Sequence, residues 1–211
     1  MGRAAVVALR SFGAKEQIPA IARALDDPDG KVRQITLSAL GAVTAKQEIP
    51  TIAARLGDGD ADVRLAAIDL LRTFGAIGQA PAIAARLDDP DRAVRMAALA
   101  ALKALGAVGQ AEPIAAMLAD PSESVRRRAV EALGVLGAAE YSRSIAELLT
   151  DTDAGVREAA LQALLRFDPQ AVLAGVQALD ALPQRPEVRA AVHVLGAVSY
   201  THLTLPTILL V

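Results

Sequence analysis

Residues 58–89 read DGDADVRLAAIDLLRTFGAIGQAPAIAARLDD, and the pattern returns every 31 residues. The dipeptide Val-Arg stands at Val32-Arg33, Val63-Arg64, Val94-Arg95, Val125-Arg126 and Val156-Arg157. An aspartate lies six residues before each arginine (Asp27, Asp58, Asp89, Asp120, Asp151), and a leucine seven after it (Leu40, Leu71, Leu102, Leu133, Leu164). A unit this short cannot bury its apolar face alone. Self-similarity at such a period therefore marks units that stack and shield one another from water.

Within the quoted unit, Asp60 is placed to cap a helix, its carboxylate accepting from the first free N–H groups. Val63, Ala66, Ala67, Leu70, Leu71 and Phe74 recur at three- and four-residue steps and form one apolar stripe. Gly75 suits the left-handed position that ends a helix. Pro81 fits a first helical turn, and Ile83, Ala84 and Leu87 give the inward face of a second, shorter helix. Asp88-Asp89-Pro90-Asp91 stops it and opens the next unit.

The neighbouring units keep these columns. Phe12, Val43, Phe74, Leu105, Leu136 and Phe167 are always large and apolar; Ile21, Ile52, Ile83, Ile114 and Ile145 form an isoleucine column. Leu25, Leu56, Leu87, Leu118 and Leu149 follow, with Ala22, Ala53, Ala84, Ala115 and Ala146 as the small column. All four columns read as core. The expected fold is all-α: an α-solenoid of about six antiparallel helix pairs over residues 1–197.

Composition narrows the functions. The 211 residues are 53% hydrophobic but only 2% aromatic, with no Trp, so alanine and leucine do the packing. Cysteine is absent, which excludes disulfides, thiolate metal sites and a cysteine nucleophile. A formal charge of −2 disfavours a dedicated nucleic-acid binder. No secretory signal pattern opens the chain, and no uncharged apolar run reaches the roughly 18 residues of a membrane helix. These features predict a cytoplasmic protein with no membrane partner.

The Asp-x5-Arg spacing with Val before the Arg, the Ala-rich helix, Leu, Gly-Ala and Pro-x-Ile-Ala-x-x-Leu together resemble the short HEAT-like repeats of the phycobilisome-lyase type. The resemblance covers about residues 4–167, with a weaker continuation to about 197. It implies a solenoid with first helices on the convex side and second helices on the concave side. It also implies a binding scaffold, since most proteins built from this repeat bind partners and only some assist bilin attachment. No catalytic motif carries over, and no cofactor or metal is expected.

Two sets of residues are candidates for a role. A row of arginines could grip phosphates or carboxylates. Yet Arg33, Arg64, Arg95, Arg126 and Arg157 vary together with the aspartates and never in one special unit. They are read as a structural ladder to Asp27, Asp58, Asp89, Asp120 and Asp151. Repeat-to-repeat variation falls instead on the second helices, in the columns Ala24, Arg55, Arg86, Met117, Leu148 and Arg23, Ala54, Ala85, Ala116, Glu147. Because Arg and Met are enriched at protein interfaces, Arg55, Arg86 and Met117, flanked by Arg23 and Glu147, are the expected partner contacts.

Other features are weaker. Arg126-Arg127-Arg128 reads as a solvated helix face beside Glu123 and Glu131. Asp58-Gly59-Asp60-Ala61-Asp62 echoes a calcium loop but has Val63 where the turn glycine belongs and Asp69 where a glutamate belongs. His193, the single histidine before residue 198, cannot build a zinc or di-iron set. Asp168-Pro169 replaces the usual Gly-Ala. Residues Val198–Thr207 break every column and resemble the translation of a transposase-type sequencing adapter, so 198–211 is expected to be non-native. Met1 falls in the valine column, so the array is expected to be the middle of a longer one. The function expected is a non-enzymatic scaffold binding a protein on its concave face. The alternatives are a phycobilin-lyase-like accessory protein and, less favoured, a DNA-binding HEAT-repeat protein, which would want a basic, aromatic-lined groove.

Overall fold

Ten α-helices, with no strand among the described residues, make up the computed structural model, which describes residues 18–167. Met1, Phe12, Asp168-Pro169, His193 and the tail from Val198 lie outside them. Contacts divide the chain into two compact units, Met1–Gln110 and Ala111–Val211.

In the first unit, α1 (Ile18–Ala22), α3 (Ile49–Ala54) and α5 (Ala80–Ala84) are the short second helices of successive pairs. The long first helices are α2 (Gly30–Ala42), α4 (Ala61–Thr73) and α6 (Arg92–Leu105), with α4 packed between α2 and α6. The second unit holds two short helices, α7 (Ala111–Ala116) and α9 (Ser142–Glu147), and two long ones, α8 (Glu123–Leu136) and α10 (Ala154–Leu164), the latter two side by side. This is an α-solenoid of helix pairs.

Local chemistry explains each boundary. Asp29, Asp60, Asp91 and Asp153 cap the long helices, each carboxylate accepting from a backbone N–H of the first turn. Ser122 holds the same position before α8, but its hydroxyl makes no capping bond and finds no partner. Gly75, Gly106 and Gly137 end α4, α6 and α8 with φ of 67°, 65° and 70°. The next residue then donates back to the last turn: Ala76 to Leu71, Ala107 to Leu102, Ala138 to Leu133. At the end of α2 the same place is taken by Thr44, with φ of 52°, and the same closing bond runs from Ala45 to Leu40.

The second helices last only five or six residues before tightening into 3₁₀ turns such as Arg23–Asp26, Arg55–Gly57 and Met117–Ala119. Proline occupies the first turn of α3 and α5, where its missing N–H leaves no bond unmade.

The isoleucine column is at most 1% exposed and the leucines that follow it at most 7%. Leu40, Leu71, Leu102, Leu133 and Leu164 are wholly buried. Two columns depart from their reading as core: in the small column Ala53 and Ala115 are half-buried, and the large apolar column is mixed. Phe74 and Phe167 are buried, but Val43, Leu105 and Leu136 are only half-buried.

A second buried flank runs along the long helices and is not visible as a single stripe: Leu37, Ile68, Leu99 and Val130 are at most 1% exposed. Within each unit a long helix touches a neighbouring long helix as well as the second helices, so two sides leave water. Where long helices approach most closely, residues shrink. A Cβ on Gly134 would stand 2.9 Å from the Ala163 Cβ and 3.1 Å from its Cα.

Candidate partner-binding face

The arginine and aspartate columns meet between consecutive repeats. Arg33 donates through Nε and Nη2 to both oxygens of Asp58, at 2.8 and 2.6 Å. Arg64 grips Asp89 in the same way at 2.8 and 2.7 Å, and Arg126 grips Asp151 at 2.8 Å twice. The third nitrogen turns back: Nη1 of Arg33, Arg64, Arg95, Arg126 and Arg157 donates to the carbonyls of Asp27, Asp58, Asp89, Asp120 and Asp151. The aspartate side chains also accept the backbone N–H two residues on, at Asp29, Asp60, Asp91, Ser122 and Asp153. Each carboxylate thus shapes its own loop, and in these three rungs it also receives a guanidinium from the repeat before. Two parallel charge-assisted bonds give such a rung geometric specificity as well as strength.

Electrostatics follow from this geometry. The side-chain bonds to Asp58, Asp89 and Asp151 raise the guanidinium pKa of Arg33, Arg64 and Arg126. Burial pushes Asp58 upward, but the Arg33 guanidinium and the Asp60 N–H outweigh it and hold the carboxyl below its ordinary range. The Arg126 bond, against the same burial, holds Asp151 below it too. With their nitrogens engaged between repeats, these arginines have little to offer a ligand.

The other candidate set lies on the second helices and the turns that end them. Arg23 and Glu147 are exposed, and Glu147 faces Arg143 at 3.9 Å one turn earlier. Arg55 and Arg86 are half-buried and reach back one repeat: Arg55 Nη1 donates to the Leu25 carbonyl at 2.9 Å, and Arg86 Nη1 to the Leu56 carbonyl at 3.3 Å. Arg55 Nη2 also meets the Asp26 carboxylate at 3.2 Å. Met117 is 9% exposed, so its thioether packs inward and leaves a partner little to touch. Between the arginines, Ala54 and Ala85 are exposed and keep the surface low.

A feature missed in the sequence lies on the long helices. Gln34, Ser38 and Gly41 of α2 face Leu65, Asp69 and Thr73 of α4 across an open groove of about 580 Å³. The signal was available: Ser38 and Gly41 are small where the next repeat has Asp69 and Arg72. Its rim charges are matched, Asp62 by Lys31 and Asp69 by Arg72, each at 2.8 Å. Among the described residues, no cluster of His, Cys, Asp or Glu could hold a metal ion, and no helix is long and apolar enough to cross a membrane.

The pattern that characterises HEAT repeats matches residues 2–72, 49–118 and 111–196. The chain belongs to the HEAT-repeat family. Solved HEAT and armadillo structures share its fold. The complex of CpcE and CpcF of phycocyanin lyase from Nostoc sp. PCC7120 superimposes with a TM-score of 0.53 at 20% identity, over 91% of this chain and 88% of that one. The archaeal HEAT-like repeats protein from Thermococcus onnurineus NA1 gives 0.58 at 14% identity, over 93% and 92%. A designed armadillo repeat protein in complex with the peptide (KR)4 gives 0.57 at 18% identity, over 85% and 98%. No curated protein matches this HEAT-repeat sequence significantly.

Proposed function

We propose that this HEAT-repeat chain is a non-enzymatic, cytoplasmic scaffold that binds a protein partner along its second helices. Arg55 and Arg86 are the central contacts, with Arg23 in the same unit; Glu147 is a further contact on the second unit's own short helix. One observation carries the reading. Arg33, Arg64 and Arg126 have their donors engaged in fixed rungs, whereas the second helices present exposed alanines beside arginines that change from repeat to repeat. A surface that varies on an invariant frame is where specificity accumulates in stacked repeats. The peptide complex of the designed armadillo protein is a precedent for this use of the fold.

Crosslinking in extracts of the source cells tests it. The double variant Arg55→Ala/Arg86→Ala should lose the partner peaks that the parent chain captures, with helical circular dichroism unchanged. Retention of every peak by the variant would remove this face from consideration. A second reading, an accessory factor that holds a bilin or its acceptor, is favoured by the likeness to the lyase complex. It is opposed by the burial of Phe74 and Phe167, which withholds their rings from a chromophore. Adding phycocyanobilin and recording the visible spectrum decides it, since a bound chromophore shifts and sharpens its absorption.

A further inference from the structure

Arg55 and Arg86 occupy equivalent places in consecutive repeats, and comparing them exposes a missing group. Both send Nη1 to the carbonyl of a leucine in the preceding repeat, Leu25 for Arg55 and Leu56 for Arg86. Both keep a buried Nε with no hydrogen-bond partner. They differ in one respect. Arg55 Nη2 has the Asp26 carboxylate at 3.2 Å, whereas the residue standing 29 before Arg86, as Asp26 stands before Arg55, is Gly57. Among the described residues, no carboxylate reaches Arg86.

We propose that the notch between Gly57 and Arg86 is a binding site for a carboxylate side chain of a partner protein, a Glu or Asp that takes the place Asp26 holds one repeat earlier. This rests on the scaffold reading and narrows the partner to one presenting an acidic residue to the second helices. Three facts support it. The Asp26–Arg55 pair is an internal copy of the contact, at the same register and on the same face. The Arg86 guanidinium is anchored through Nη1 on the Leu56 carbonyl, so little freedom is lost when a ligand takes Nη2, the nitrogen that Arg55 turns to Asp26. The space is open, because a Cβ added to Gly57 would meet nothing within 4 Å.

That open space makes the test clean. Gly57 has no positive φ and no close neighbour, so Gly57→Ala and Gly57→Asp should both fold. Hexaglutamate is titrated into each protein at low salt while the arginine Nε–H resonances are followed by NMR, with hexaglutamine as the uncharged control. In the parent and in Gly57→Ala, hexaglutamate should shift the Arg86 resonance saturably, and hexaglutamine should leave it in place. In Gly57→Asp the new carboxylate should occupy the guanidinium, weakening the peptide several-fold and moving the Arg86 resonance toward that of Arg55 before any peptide is added. Equal binding by Gly57→Asp and the parent, or equal response to the two peptides, would overturn the notch. A hexaglutamate shift confined to other second-helix residues such as Arg23 would overturn it too, while leaving the scaffold reading standing.

Discussion

Thr44 carries a backbone conformation that its own side chain opposes. Its φ of 52° matches the 67°, 65° and 70° of Gly75, Gly106 and Gly137 at the same place in later repeats. A β-branched residue in this region is strained by about 1–2 kcal/mol, partly offset by the greater freedom a glycine loses on folding. Thr44→Gly should therefore stabilise the protein by about 0.5–1 kcal/mol, read as a higher urea midpoint at unchanged m-value. The ladder carboxylates make a second prediction at this scale. Asp58 and Asp151 are depressed below their ordinary value of 3.8, so the folded state binds fewer protons than the unfolded chain. The stability they supply is complete above that ordinary value and is lost as pH falls through the depressed ones. Urea midpoints should thus hold steady above about pH 5 and drop below about pH 4. In Asp58→Asn/Asp151→Asn the midpoint at pH 7 should be lower and the acid drop shallower; an unchanged acid limb would mean other carboxylates control it.

The long helices are set by how closely they approach. Gly134 on α8 faces Ala163 on α10, with backbone as well as side chain in the way of any larger group. Overpacking at such a point costs about 1–3 kcal/mol because the helices must separate. Gly134→Val should lower the melting temperature, while the same change at Gly109, where a Cβ meets nothing within 4 Å, should not do so through crowding. The short helices follow another logic. Five or six residues are too few to be stable alone, so their helicity comes from burying Ile21, Ile52, Ile83, Ile114 and Ile145 against the long helices. The 3₁₀ endings cut them short, and proline in the first turn of α3 and α5 sacrifices no helical bond.

For the molecule as a whole, stability is close to a sum of repeats and nearest-neighbour interfaces. Leu40 on α2 and Leu102 on α6 are both wholly buried, with α4 between their helices. Each change to alanine should cost about 2–5 kcal/mol by urea denaturation. The double variant should show their sum within about 0.5 kcal/mol, and a larger deviation would reveal coupling beyond adjacent repeats.

The period of 31 residues, the aspartate caps, the glycines at helix ends and the isoleucine and leucine columns were all legible in the letters, because each depends on chemistry within one unit or repeated identically in the next. Folding decided the rest, where the outcome turned on what lay across the gap. The second buried flank of Leu37, Ile68 and Leu99 exists because a long helix has neighbours on two sides, which its own stripe cannot disclose. Met117 and Arg86 look alike as exposed candidates until packing turns one inward and leaves the other half-buried with Nη1 on the Leu56 carbonyl. Local periodicity dictates which helices form and that they stack. Only the packing of stacked repeats settles which side chains turn inward, as Met117 does, and which guanidiniums are held between repeats, as those of Arg33, Arg64 and Arg126 are, because both depend on what the neighbouring repeat presents.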